Sequence, residues 1–240
     1  MGPVPSDDGI PRYFSDLYIP SYTPTLSALI ESRKSDKSSE SLEKPSVLLV
    51  AHPDEAMKQA WPEIQAIQSL DTNVTTLLGE EAEPSAVFEG IQDHRFAHFV
   101  CHGNLVSERP FDAYFGLYES SRLTLLHIIR SRLPVAEFAF LSACHTAELT
   151  EGSISDEGLH LTAAVQYCGF RSVVGTMWAM ADQDGSDLAE RFYKSIFSSD
   201  KTGLPYYERS AKALRNAIRA VRKKKKLPLE QWVNFVHYGA

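Results

Sequence analysis

Cysteine is scarce, with three in 240 residues and none in a C-x-x-C pair. That excludes a disulfide framework and a paired-cysteine zinc signature, and it points to a reducing compartment, with a cytoplasmic location expected. Basic charge is also short. With 24 Lys and Arg against 31 Asp and Glu, the chain lacks the cationic surplus of a nucleic-acid surface, so no nucleic-acid partner is expected. The only basic block, Arg222 to Lys226, ends a helical pattern, where it complements the helix dipole and solvates the end. No apolar run reaches the roughly 18 residues of a membrane span, and the N-terminus lacks the basic and apolar regions of a signal peptide, so no membrane contact is expected. Self-similar repeats are missing, which excludes a solenoid. A Gly-rich phosphate loop is missing too: AHPDEA after the first expected strand does not supply one, and a flavodoxin-like ligand-binding domain would want it.

What is present has the make-up of a globular domain, 43% hydrophobic with 13 Gly and 13 Pro, so one domain over residues 13–240 is expected. Residues 1–12, rich in Pro, Asp and Ser, are an extension expected to be disordered. The polar stretch over 32–44 is expected to be a flexible loop. Thr23, followed by Pro24, predicts a helix start before LSALI.

Ser46 to Ala51 predicts a buried strand, and Met57 to Leu70 a helix with Trp61, Ile64, Ile67 and Leu70 on one face. Val74 to Leu78 and Ala97 to Cys101 predict two more strands, with a short helix at Ala86 to Ile91 between them. Tyr114 to Tyr118 and Arg122 to Thr124 predict a hairpin outside the sheet, and Leu125 to Arg132 a helix. After the strand at Phe138, residues 146–155 predict a mobile loop. Asp156 or its neighbour caps a helix through Tyr167, closed by Gly169. Ser172 to Trp178 is the next strand. Helices about Leu188, Phe192 and Ile196 and about Ala211, Leu214, Ile218 and Val221 follow, with a last strand near Phe235. Strands alternating with helices imply an α/β fold with a parallel sheet.

Two strands end in chemistry. FAHFVCHG, from Phe96, ends in Cys101, His102 and Gly103; EFAFLSACHT, from Glu137, ends in Ser142, Ala143, Cys144 and His145. Ligands and catalytic groups gather beyond the carboxyl ends of parallel strands. Successive side chains in a strand face opposite ways, so one member of each Cys-His pair is a bystander. The same alternation leaves two converging ligands where zinc would need four. Neither a metal nor a cofactor is therefore expected. The combination that gives chemistry is Cys144 as nucleophile with His102 as base, since a free thiol is mostly protonated at neutral pH and needs an imidazole to become a thiolate. The N–H groups of Gly103 and Cys144 are the candidate oxyanion hole, and Ser142 at the strand tip is a candidate substrate contact. Trp178 either walls the groove or belongs to the core. His52 either lines a subsite or simply ends its strand.

The blocks FAHFVCHG, FLSACHTA, DEGLHLTAAVQYCGFRSVVGTMWAMAD from Asp156 and the terminal WVNFVHYG together resemble a CHAT domain, a caspase-like cysteine peptidase domain. The resemblance implies a caspase-hemoglobinase-like three-layer fold with a mostly parallel central sheet and helices on both faces. It matches His102 and Cys144 to the family dyad and implies a protein substrate, with a fused or associated TPR or other sensor module. The dyad spacing of roughly forty residues is near the offset of about 50 in caspases, though S-A-C-H-T fits the caspase Q-A-C-x-G signature only in part. WAMADQD, Trp178 to Asp184, is similar to the segment after the catalytic Cys in separases, whose S1 pocket is acidic. That likeness implies that Asp182 or Asp184 holds a basic residue before the scissile bond, with Asp156 a weaker candidate. Against it, the two aspartates would cap a helix over Ser186 to Phe197, and Asp156 caps its own helix. The resemblance is also compatible with a catalytically inactive signalling or interaction module.

Overall fold

The computed structural model describes residues 13–34, 44–53, 57, 60–104, 112–130, 133, 135–142, 157–176, 182–198, 203–225 and 228–240, with the backbone alone at 157–160, 182–184 and 230. The chain begins with α1 (Phe14–Leu17), α2 (Leu26–Ser32), β1 (Val47–Ala51), α3 (Trp61–Gln68), β2 (Val74–Leu78) and α4 (Pro84–Asp93). It continues with β3 (Phe96–Val100), β4 (His102–Asn104), β5 (Tyr114–Gly116), β6 (Arg122–Thr124), α5 (Leu125–Ile129) and β7 (Phe138–Leu141). The remainder is α6 (Glu157–Tyr167), β8 (Ser172–Thr176), α7 (Asp182–Ile196), α8 (Ser210–Lys225), α9 (Leu229–Trp232) and β9 (Phe235–Gly239).

Strands buried on both faces read as continuous apolar runs, which is why β1, β3 and β7 are so apolar; each is buried at every position. They lie in a six-stranded sheet of order β2-β1-β3-β7-β8-β9. All neighbours are parallel except β9, which runs antiparallel to β8 at the edge. The order turns about β1, with β2 on one side and β3 on the other, so the crevice beyond the carboxyl ends of β1 and β3 is a topological switch point.

Alternation along each strand divides the core in two. Val47, Leu49, Phe96, Val100, Phe138 and Phe140 pack with residues of α3, α7, α8 and α9. Leu48, Val50, Ala97, Phe99, Ala139 and Leu141 face α4, α5, α6 and the small sheet. Phe192 and Tyr193 on α7 are fully buried against the first face, each contributing about 1.5–3 kcal/mol as a large buried side chain. On the second face α6 rests directly on β8, where a Cβ at Gly175 would lie 2.4 Å from Thr162 Oγ1.

Several elements differ from the sequence expectation. The α2 cap is Thr25, whose side chain accepts from the Ala28 N–H at 3.0 Å; Thr23 Oγ1 instead donates to the Thr25 carbonyl. Helix α3 is shorter than Met57 to Leu70, and its buried face includes Glu63 while Trp61 is exposed. Helix α7 starts at Asp182, so Asp182 and Asp184 lie within its first turn and do not precede a helix that begins at Ser186. Asp residues suit the positive end of the helix dipole. The expected hairpin is the three-stranded antiparallel sheet β4-β5-β6, because His102–Asn104 joins it. The basic end of α8 also makes specific ion pairs. Arg222 meets Asp16 at 2.6 Å and Lys225 meets Asp187 at 2.7 Å. Burial opposes the Asp16 charge but is outweighed by the Tyr13 N–H, Arg222 and Arg219, which hold its carboxyl below the usual range.

Candidate active site

The site is built on the ends of two paired strands. Phe99 of β3 lies beside Leu141 of β7, and the chain leaves β7 at Ser142, whose N–H donates to the Phe99 carbonyl at 2.9 Å. On the β3 side the backbone bends after Val100 and re-enters order as β4. There His102 pairs with Gly116 and Gly103 with Phe115. A second sheet, not a loose loop, therefore holds the base candidate at the carboxyl edge of the first. His102 is half-buried and Gly103 buried. Gly116 lies across from His102, where a Cβ would meet the His102 Cβ at an ordinary contact distance of 3.6 Å.

Cys101 is fully buried with Phe99 and Phe115 on the α4 side, the face opposite its neighbour Val100, as alternation requires. Cys168 is nearly as deep, and burial pushes its thiol up to about 12. Both are packed as small hydrophobes.

At the tip of β1, the His52 N–H donates to the Val100 carbonyl at 3.0 Å. Its ring meets Tyr118 edge-on at 6.1 Å, and the Tyr118 hydroxyl donates to Glu80 at 3.2 Å. The hydrogen bond to Glu80 raises the Tyr118 phenol. His52 thus forms part of the rim as well as ending its strand.

Sequence reasoning missed a chain of buried polar groups beneath the edge. Tyr193 OH lies 3.1 Å from His98 Nδ1, His98 Nε2 lies 3.0 Å from Glu63 Oε1, and Ser142 Oγ donates to the same Glu63 oxygen at 2.5 Å. His98 and Tyr193 are completely buried and Glu63 nearly so. Burial also raises the Tyr193 phenol well above its ordinary value. The one visible signal was His98 itself, a polar residue in the middle of the apolar run FAHFV. Ser142, expected to touch substrate, is half-buried with its hydroxyl committed to Glu63.

Cys144, Asp156, Trp178 and the expected mobile loop over 147–155 lie outside the described residues, and so do the side chains of Asp182 and Asp184. Among the described residues, no group of three or more His, Cys, Asp or Glu could hold a metal ion, and no helix is long and apolar enough to cross a membrane.

No curated protein matches the chain by sequence. Among solved structures it is similar to separase from Saccharomyces cerevisiae in its complex with securin, with a TM-score of 0.57 and 13% identity over 91% of this chain and 14% of that one. It is also similar to the Arg-specific cysteine proteinase gingipain R, with a TM-score of 0.52 and 11% identity over 81% of this chain and 46% of that one. A complex of the pro- and mature domains of RgpB from Porphyromonas gingivalis matches with a TM-score of 0.51 and 10% identity, over 81% of this chain and 47% of that one. The chain therefore spans less than half the length of each of these relatives. At such identities the likeness shows the fold, which is the caspase-like α/β fold. The family model of the CHAT domain matches residues 4–240, and the chain belongs to the CHAT domain family.

Proposed function

We propose that this CHAT domain is a cysteine endopeptidase that cleaves a protein substrate through a thioester, with Cys144 as nucleophile and His102 as base. One observation carries the reading. The β3–β7 register sets Phe99 beside Leu141, so the chain leaves two neighbouring strand ends, one leading to His102 at the start of β4 and the other to Cys144, three positions beyond Leu141 in sequence.

His102 takes the thiol proton as sulfur attacks the scissile carbonyl, and the N–H groups of Gly103 and Cys144 receive the oxyanion. The C–N bond then breaks, and the imidazolium returns the proton to the leaving amine. Water, deprotonated by the same imidazole, hydrolyses the thioester to a carboxylic acid and restores the thiol. A basic residue before the scissile bond is the proposed specificity, with Asp182 or Asp184 as its acidic partner. Gingipain R is Arg-specific by name, the direction of preference such a carboxylate would set. A sensor module, fused or associated, is the proposed source of control.

The test is labelling by a peptide with a basic terminal residue and an electrophilic warhead, followed by cleavage of a matching substrate. Cys144→Ala and His102→Ala should abolish cleavage in a folded protein, and Cys101→Ala should retain most of it. An unlabelled Cys144 in an otherwise competent wild type would instead assign an inactive interaction module.

A further inference from the structure

We propose that Glu63 is a positioning residue for the nucleophile: its buried carboxylate, braced by His98 and Tyr193, holds Ser142 and so fixes the direction in which the chain leaves β7 toward Cys144. The inference rests on the peptidase reading and extends it to three residues on three separate elements.

The geometry accounts for every link. Glu63 sits in the first turn of α3, where the helix dipole favours a negative charge. Its Oε1 receives the Ser142 hydroxyl at 2.5 Å and faces His98 Nε2 at 3.0 Å. With Nε2 carrying the proton, His98 donates to Glu63 and its Nδ1 accepts from Tyr193, so donors and acceptors alternate along the chain. The His98 ring is stacked on Phe140 at 4.8 Å with an interplanar angle of 16° and tilted on Tyr193 at 5.6 Å, and both of its nitrogens have partners.

A buried polar network is costly unless fully satisfied, and an apolar set of similar volume would serve a purely structural purpose at least as well. What the network supplies is directional. Ser142 is held by its N–H to Phe99 and by its hydroxyl to Glu63, so both the backbone and the side chain of the residue two before Cys144 are pinned. A nucleophile misplaced by about an ångström can lose on the order of 10²-fold in rate.

The experiment compares wild type with Ser142→Ala, Ser142→Thr and Glu63→Gln, reading the pH profile of Cys144 alkylation by iodoacetamide and, with a peptide substrate, kcat against KM. Ser142→Ala should shift the alkylation profile toward that of an ordinary thiol and lower kcat at least about tenfold with little change in KM, while urea unfolding stays cooperative, with the folding equilibrium lowered no more than on the order of 10²-fold, a loss of about 1–3 kcal/mol. Ser142→Thr, which keeps the hydroxyl, should recover most of the rate, and Glu63→Gln, which keeps an acceptor oxygen, should fall between. An activated wild-type profile left unchanged by Ser142→Ala overturns the positioning role alone. A wild-type profile already that of an ordinary thiol overturns the peptidase reading and this inference with it.

Discussion

His237 offers a sharp test of how the N-terminal segment is fastened to the domain. It lies on the edge strand β9, 1% exposed, with Nδ1 2.8 Å from Ser21 Oγ and Nε2 2.7 Å from Ser210 Oγ. Burial lowers its pKa to about 3, whereas an unfolded chain titrates near 6.5. Between those values the unfolded state binds a proton that the folded state refuses. Stability from this group is therefore level above about pH 6.5 and falls with pH below it, by up to about 1.4 kcal/mol per unit. Integration to pH 5.0 gives a loss of about 2 kcal/mol. The assay is urea unfolding at pH 7.5 and 5.0 for wild type and His237→Gln, whose amide can still reach both serines. The loss between the two pH values should be smaller in the variant by about 2 kcal/mol, and the carboxylates common to both proteins cancel in the comparison. Equal losses in the two proteins would refute the reasoning, as would an NMR titration in which the His237 ring protonates between pH 6 and 7.

Gly239 has φ +115°, and a Cβ there would fall 2.1 Å from the Arg171 carbonyl oxygen. Gly239→Ala should therefore cost more than about 3 kcal/mol in thermal unfolding, while Gly203→Ala, at φ +70° with nothing within 4 Å, should cost only about 1–2 kcal/mol. Arg95 bonds both carboxylate oxygens of buried Glu137 at 2.9 and 3.0 Å, tying the starts of β3 and β7. Burial outweighs that attraction and raises the Glu137 carboxyl. Arg95→Met should cost about 3–5 kcal/mol at pH 8. Less should be lost at pH 5, because Arg95 is a group that lowers the Glu137 carboxyl, so the variant's buried carboxyl takes up a proton more readily than the wild type's and sheds its unpaired charge.

How much was legible depended on sequence distance and on length. The strands β1, β3, β7 and β8 were readable because full burial turns them into uninterrupted apolar runs. The three-residue β4 was not, since H-G-N has no periodicity and its pairing with β5 is decided by the tertiary fold. Helix α1 escaped for a similar reason: its four residues are held by Asp16 accepting from the Tyr13 N–H and by Arg222 from α8, far along the chain. Thr23 and Thr25 both offer sound capping chemistry, and only packing chose between them. The base candidate could be read from a strand tip. Its buried supports could not, because Glu63 and Tyr193 meet His98 from 35 and 95 positions away.

The two faces of the sheet therefore do different work. The side carrying Ala97, Phe99 and Cys101 is sealed by α4, α5, α6 and the small sheet with apolar contacts, and a thiol there is only a small hydrophobe. The side carrying His98, Val100 and Phe140 admits polar groups wherever a full set of partners exists, and those partners converge on Ser142. The pairing of β3 with β7 ends at Phe99 and Leu141, so Ser142 lies past the last residue pair of that ladder. The Ser142 side chain supplies a second constraint there beside the backbone bond to Phe99, and it does so through Glu63 on the α3 side of the sheet.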